Sequence, residues 1–157
     1  MSDTRLINEN DVFLDVEAST KEGLFSFISE QAERLGVTDD AQGLAADLMD
    51  RERQISTGLT DGFAIPHTKS ARVKHVEVFY LRTKAPIPWE TMDSDEAGFF
   101  FALLVPEENE GNIHLQMISA LAVSLLEDDF KATVKSCDDP AELTDYIAEH
   151  VQLAELG

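Results

Sequence analysis

The stretch Phe99-Phe100-Phe101-Ala102-Leu103-Leu104-Val105 is an unbroken apolar run that ends at Pro106. A half-buried strand alternates apolar and polar side chains, whereas this run is apolar on both of its faces. Such a pattern is typical of a central strand that is covered on both sides, and a proline ends it. The stretch therefore predicts a sheet with a packed layer against each face.

Helical spacing occurs on both sides of this strand along the chain. Ser19 and Glu22 stand in capping-box order before a helix that Gly36 ends, and a second helix follows Asp40. Near the carboxyl end, an Asp139-Pro140 pair marks another helix start. The predicted helices cover residues 19–36, 40–54, 112–126, 130–136 and 139–152, with Asn112 as the cap of the third.

A second strand is predicted at residues 76–81, where Val76, Val78 and Tyr80 alternate with their neighbours. Pro86 and Pro88 then predict a turn. Helices before, between and after strands are typical of an α/β fold, so we expect a sheet covered by helices on both faces.

The charge of the chain limits the class of partner. The 12 basic and 31 acidic side chains give a net charge of −19. This disfavours sequence-independent binding of nucleic acid, because Lys and Arg must replace the counterions of the phosphates. It equally disfavours an anionic membrane surface, and the plain interpretation is a solvated exterior. No linker interrupts the 157 residues, so we expect a single domain over residues 1–157.

Cys137 is the single cysteine, which excludes an internal disulfide and fits a reducing compartment. Its acidic neighbours Asp138 and Asp139 disfavour a nucleophilic thiolate. No apolar run approaches the ~20 residues that span a bilayer, and the first residues lack a secretory pattern. We expect a cytoplasmic protein without direct membrane insertion.

His67 stands in an unusual setting, at the end of the segment Gly62-Phe63-Ala64-Ile65-Pro66. Pro66 fixes its own φ and pushes Ile65 into an extended conformation, so the imidazole is rigidly presented. A rigid imidazole suits a nucleophile, which must keep its line of attack. The alternative is a histidine that ends a strand and bonds a carbonyl.

Arg51 is the second candidate, because the helical phase places it on the flank of the apolar stripe while Arg53 faces water. Its guanidinium could lie near the segment that leads to His67, where a planar charged fork suits a phosphoryl group. The alternative is a weak i,i+4 pair with Asp47.

The polar stretch Ser56-Thr57-Gly58-Leu59-Thr60-Asp61 joins that helix to the His67 segment. Thr57 and Asp61 are its candidates for lining the same pocket. The alternative is a plain loop, since these residue types are common in loops.

His114 falls in the first turn of the third predicted helix, where unpaired N–H groups and the helix dipole favour an anion. It could donate to a phosphate oxygen, or it could be an ordinary residue of a helix start. His75 and His150 are interpreted as surface residues. The spacing of the four histidines matches no zinc pattern, so we expect no metal site.

Three blocks carry a family resemblance: Asp50-Arg51-Glu52 with Ser56-Thr57-Gly58, then Gly62–His67, then His114-Leu115-Gln116 after Phe101–Pro106. Together they resemble the enzyme IIA domain (EIIA type-2) of the fructose–mannitol family of the bacterial phosphoenolpyruvate-dependent sugar phosphotransferase system. The likeness runs from about Asp11 to about Ala148. The A-I-P-H block with an upstream R-E and a downstream H-L is specific, although each block alone is weak.

The resemblance implies a three-layer α/β sandwich built on a mixed sheet. It implies a phosphotransferase in which phospho-HPr, the donor protein, phosphorylates His67. The group would pass to a cysteine of enzyme IIB and then to a fructose-like sugar or hexitol entering through the membrane component IIC. Arg51 and His114 match the other two active-site positions of the family, and Asp61 lies where some members carry Glu. The chain has no room for a fused IIB or IIC, so we expect a separate subunit, and one that needs no cofactor.

Two other functions remain open at this point. One is a regulatory IIA-like phosphoprotein of the nitrogen-related branch, which would control partner proteins without feeding a transporter. The other is a carrier that binds without accepting phosphate, which the set of His67, Arg51 and His114 disfavours. Adjacent IIB and IIC genes would favour transport.

Overall fold

The computed structural model describes residues 7–107 and 113–151, with the backbone alone at residues 113–115. A 3-10 turn, Glu9–Asp11, precedes the first strand. The strands are β1 (Val12–Val16), β2 (Phe63–Ala64), β3 (His67–Ser70), β4 (Glu77–Pro88) and β5 (Glu96–Pro106). The helices are α1 (Lys21–Arg34), α2 (Ala41–Gln54), α3 (Ile113–Ser124), α4 (Asp128–Ser136) and α5 (Pro140–His150).

The five strands form one mixed sheet with the order β1-β4-β5-β2, and β3 pairs with the same edge of β5 as β2. β4 and β5 are antiparallel, whereas β1 runs parallel to β4. β2 and β3 both run parallel to β5, one after the other along it. The predicted mixed sheet is therefore confirmed, and β5 lies inside it.

Helices cover both faces of the sheet, which confirms the predicted three-layer sandwich. The layer of α1 and α2 packs on Phe79, Phe100 and Leu104. The opposite layer contains α4 and α5 packed on Tyr80 and Phe101, and Met117 of α3 packed on Leu103. Consecutive residues of β5 thus enter different cores, and this is why the strand is apolar without alternation.

The helix ends follow local chemistry, with one correction to the sequence prediction. The N-cap of α1 is Thr20, whose hydroxyl accepts the Gly23 N–H at 3.0 Å, and not Ser19. The neighbouring threonine offers the same hydroxyl one residue later, so the cap slips by one position. Gly36 ends the helix as predicted, with a φ of +80° that suits glycine.

The predicted turn at Pro86 and Pro88 is wrong, because β4 continues through both residues. Thr83 is the last residue of β4 that pairs with β1, so beyond it β4 has a neighbour in the sheet on one side only. The register shift between Arg82 and Ile87 accommodates Pro86, and Pro88 is the last residue of the strand. A proline removes one donor, and an edge tolerates that loss.

Across residues 7–107 and 113–151, no helix is both long enough and apolar enough to cross a membrane.

Candidate active site

His67 is the first residue of the edge strand β3, directly after Pro66. The Leu103 N–H donates to the Pro66 carbonyl at 2.9 Å, and His67 stands opposite Leu103 in the parallel pairing with β5. The imidazole is half-buried. The predicted rigid presentation thus comes from a proline whose carbonyl is tied to the central strand.

The structure describes a hydrogen bond at the Nδ1 nitrogen of the His67 ring. Nδ1 lies 2.7 Å from the carbonyl oxygen of Ile65. A carbonyl oxygen can only accept, so Nδ1 carries the proton and donates. In the neutral imidazole the lone pair is then on Nε2, which is the form needed for nucleophilic attack.

The helical phase of the two arginines near the end of α2 agrees with the prediction. Arg51 is half-buried, and its Nη1 donates to the Ile55 carbonyl at 3.0 Å. Arg53 is exposed and pairs with Asp50 at 3.1 Å. The alternative partner of Arg51, Asp47, instead accepts from Ser70 and Arg72. A guanidinium has five N–H donors, and the bond to Ile55 uses one of them.

Arg51 lines a cleft of about 360 Å³ between the end of α2 and strand β3. Thr68 and Lys69, the two residues after His67, line the same cleft. Thr68 stands opposite Leu104, in the layer of α1 and α2, whereas His67 stands opposite Leu103, in the layer of α3. His67 and Thr68 are neighbours on β3 but stand in different layers. The edge strand β3 therefore connects the position of His67 to the cleft that Arg51 lines.

The far end of the cleft is fixed by an ion-pair network. Arg72 bridges Asp40 at 2.9 Å and Asp47 at 3.0 Å. These bonds raise the pKa of Arg72, and hydrogen bonds from the Gly43 N–H and from Arg72 lower the pKa of Asp40. The network ties α2 to the segment that follows β3, and so sets the width of the cleft.

Thr57 is buried, and it bonds the carboxyl group of Glu52 instead of lining the Arg51 cleft. Glu52 is not among the site residues predicted from the sequence. A signal was present, because Leu44, Leu48 and Glu52 follow one another at intervals of four on α2, which places an acid on the buried stripe.

Asp61 lies at the turn before β2, with a φ of 57°. Its carboxylate forms an ion pair with Lys131 of α4, and this pair lowers the pKa of Asp61. Its N–H donates to the Asp93 carboxylate at 3.2 Å. The structure therefore joins Asp61 to α4, and does not place it among the described residues that line the Arg51 cleft.

The other three histidines occupy different settings. The His114 backbone is in the first turn of α3, as predicted, while its side chain and Asn112 lie outside the described residues. His75 is exposed, with Nε2 at 3.2 Å from Glu77, as a surface residue should be. The interpretation of His150 as a surface residue is wrong, because its ring is half-buried and stacks on Phe130 at 4.6 Å.

Comparison with known protein families gives one consistent result. The family model described as "Phosphoenolpyruvate-dependent sugar phosphotransferase system, EIIA 2" matches residues 5–150. The fructose-specific EIIA component of Haloferax volcanii is 32% identical over 141 residues, which cover 90% of this chain and 91% of that protein. The fructose-specific EIIABC component of Bacillus subtilis is 27% identical over 96% of this chain, and the chain spans 24% of its length.

Solved structures resemble this fold over most of the chain. The nitrogen regulatory protein IIA-Ntr from Neisseria meningitidis superposes with a TM-score of 0.82 at 28% identity, covering 89% of this chain and 94% of that one. The IIA mannitol structure from Escherichia coli gives a TM-score of 0.69 at 22% identity, covering 88% and 98%. Because the sequence identity to the IIA mannitol structure is this low, that similarity shows a shared fold alone.

Proposed function

We propose that this chain, which belongs to the EIIA 2 family of the phosphoenolpyruvate-dependent sugar phosphotransferase system, accepts a phosphoryl group on Nε2 of His67 and passes it to a partner protein. As a member of this family it is a phosphotransferase component. The observation that carries the proposal is the bond from Nδ1 of His67 to the Ile65 carbonyl, which assigns the lone pair to Nε2.

The chemical step balances without an added reagent. The Nε2 lone pair attacks the phosphorus of phospho-HPr, a new N–P bond forms, and the N–P bond of the donor breaks. The electron pair of that bond stays on the donor imidazole, whose other ring nitrogen keeps its own proton, so the donor leaves as neutral imidazole and no net proton is needed. Phosphoryl transfer depends mainly on position and on neutralising the equatorial oxygens, so no cofactor is needed.

Arg51 and His114 are the residues that we propose for that neutralisation. Arg51 lines the cleft together with Thr68 and Lys69, the two residues that follow His67 along β3. His114 begins the helix whose next turn carries Met117, which packs on Leu103 opposite His67. Thr57 supports the site indirectly, through the loop before β2, whereas Asp61 is paired with Lys131 of α4 and has no part in that neutralisation.

The onward route that we propose runs to a cysteine of enzyme IIB and then to a sugar entering through IIC. The full-length similarity to a fructose-specific EIIA component supports a fructose-like sugar or a hexitol. The family match over residues 5–150 supports our proposal of a single domain over residues 1–157, and we propose that the chain acts in the cytoplasm with its partners.

Two exposed apolar side chains support a protein partner at this end of the molecule. Ile55 is 71% exposed and Met92 is 74% exposed. Their loops are tied together, because the Met92 N–H donates to the Leu59 carbonyl and Ser56 donates to the Glu90 carbonyl. Large apolar groups held outward by fixed loops are typical of a protein interface.

A regulatory function is the second candidate, and the likeness to the Neisseria meningitidis nitrogen regulatory protein favours it. Such a protein would accept phosphate on the same histidine and control a partner according to its phosphorylation state. Genes for IIB and IIC beside this gene would support transport, whereas their absence would support regulation.

The direct test is incubation with phosphoenolpyruvate, enzyme I and HPr, followed by intact mass measurement. We expect the mass of one phosphoryl group on the parent chain and on His75→Ala, which changes an exposed histidine. His67→Ala should remain folded and unmodified. A folded His67→Ala protein that gains the same mass would reject the assignment.

A further inference from the structure

Glu52 is a charged residue at a buried position of α2, with 2% of its side chain exposed. Both carboxyl oxygens accept hydrogen bonds from Thr57, Oε2 from the N–H and Oε1 from the hydroxyl, each at 2.7 Å. The Lys21 ammonium lies 3.9 Å from Oε2 and also over the ring of Trp89. A buried carboxylate is tolerated only where such donors surround it, so this arrangement depends on its geometry.

The carboxyl group of Glu52 begins a series of hydrogen bonds that ends at His67. It holds the backbone N–H of Thr57. The Thr57 carbonyl accepts the Ile65 N–H at 3.1 Å, and the Ile65 carbonyl accepts Nδ1–H of His67 at 2.7 Å. Each step fixes the backbone that makes the next bond.

The loop between Glu52 and β2 is confined from its other side. A Cβ at Gly58 would lie 2.2 Å from the Glu90 carbonyl oxygen, so the two loops are in close contact there. Gly58 and Ala64 also form an antiparallel bridge. The loop therefore cannot move away from Glu52 without disturbing the backbone that precedes His67.

We propose that Glu52 is a positioning residue, which sets the tautomer and orientation of the His67 ring through Thr57 and Ile65. Neutral imidazole has two tautomers, and a fixed carbonyl beside Nδ1 selects the one with its lone pair on Nε2. Loss of the Glu52 carboxylate frees Thr57, and the Ile65 carbonyl then loses its fixed place. The effect on the reaction rests on the proposed function, whereas the effect on the tautomer does not.

The test is ¹⁵N NMR of the histidine ring nitrogens in full-length Glu52→Gln, at a pH where His67 is neutral. Glutamine has the size of glutamate but replaces one acceptor with an NH₂ group that faces a Thr57 donor. We expect both His67 tautomers in the variant and a single Nδ1–H tautomer in the parent. Phosphoryl acceptance from HPr should slow by about 10- to 100-fold, which is typical of a displaced reactive group.

Variants at Thr57 keep the test decisive if Glu52→Gln does not fold. Thr57→Ser retains the hydroxyl, so this conservative variant should recover the tautomer and the rate that Thr57→Val loses. Thr57→Val loses the Oγ1 bond but keeps the N–H bond, so it should show the same defect in weaker form. Val134→Ala, a change in the buried core under α4, is the control for stability alone.

The outcomes separate the two proposals. A folded Glu52→Gln or Thr57→Val with the parent tautomer and rate would overturn the positioning role. The same tautomer mixture in Val134→Ala would overturn it as well, because general loss of stability would then explain the effect. If the parent accepts no phosphate, the proposed function fails, and the tautomer measurement still decides the role of Glu52.

Discussion

Glu52 and Glu77 are both largely withdrawn from water, yet their surroundings are opposite. Every described neighbour of the Glu52 carboxyl group is a donor: the N–H and hydroxyl of Thr57 and the Lys21 ammonium. Glu77 instead meets a second carboxyl group, that of Asp11, which is 2% exposed, while Nε2 of the exposed His75 lies 3.2 Å from Oε1 of Glu77. Burial, followed by the hydrogen bond with Asp11, raises the pKa of Glu77 to about 8.

The difference separates two uses of a buried acid, one on helix α2 and one on strand β4. Around Glu52, donors on the loop before β2 turn the carboxyl group into an attachment point for the backbone that presents His67. Around Glu77, burial and the neighbouring carboxyl group of Asp11 raise the pKa of Glu77, so the stability of this region depends on pH. Changes in the first region should act on phosphoryl transfer, and changes in the second on the pH dependence of stability.

Arg51→Ala should give the largest effect in the region of the active site. Loss of one fixed charge donor should slow transfer by about 10²–10³-fold. Arg53→Ala is the matched control, because Arg53 is exposed and pairs with Asp50, and it should keep the parent rate. The measurement is rapid-quench kinetics of phosphoryl transfer. Equal losses of transfer rate in both variants would contradict the placement of Arg51.

His114→Ala should have the next largest effect. A phosphoryl group adds roughly two negative charges to a chain of net charge −19, so a donor beside it stabilises the transfer. Loss of a hydrogen bond to a charged group corresponds to about 10- to 100-fold in rate. We expect slower transfer in both directions with nearly unchanged stability, and partial recovery in His114→Gln. If His114→Ala transfers at the parent rate in both directions, His114 is an ordinary residue of a helix start and has no part in the transfer.

Glu77→Gln should change stability with pH and leave transfer unchanged. Folded Glu77 keeps a proton that the unfolded chain releases above a pKa of 4.5, so the free energy of unfolding declines as pH rises from 4.5 through about 8. Glutamine cannot ionise, so the variant should lose less stability over this range. We expect the parent Tm to fall by roughly 3–6 °C more than that of the variant. If thermal unfolding shows that the Tm of the parent and of the variant falls equally as the pH rises, Glu77 is not the cause of the pH dependence.

Asp61→Asn should have the smallest effect, although Asp61 is only six residues before His67. Its partner is Lys131 of α4, the pair is at the surface, and asparagine tolerates the positive φ. We expect a transfer rate within about twofold of the parent, since exposed ion pairs contribute little. A loss comparable to that of Arg51→Ala in the same assay would place Asp61 in the site.

The sequence predicts those parts of the fold where periodicity or caps are strong. β5 is apolar on both faces because it lies between two cores, and Asp139 caps α5 as its position before Pro140 indicates. β2 has two residues and β3 is the polar edge segment His67–Ser70, so neither shows a strand pattern. The prolines of β4 mislead because the strand reaches the sheet edge there.

The candidate site likewise contains residues that the sequence predicts and residues that it does not. His67 and Arg51 stand out through local sequence, because a preceding proline and a helical phase act over few residues. The Glu52–Thr57–Ile65 series depends on where a loop folds back against β2, and this is a tertiary contact. Its signals in the sequence are the acid on the Leu44–Leu48 stripe and the R-E pair to which that acid belongs.

The most direct test of the account is to locate the phosphoryl group atom by atom. ¹⁵N-labelled protein would be phosphorylated with phosphoenolpyruvate, enzyme I and HPr, and its histidine ring nitrogens observed by NMR with ³¹P coupling. The account predicts a phosphoryl group on Nε2 of His67, with Nδ1 still protonated beside the Ile65 carbonyl. A phosphoryl group on Nδ1 of His67, or on another histidine, would contradict it.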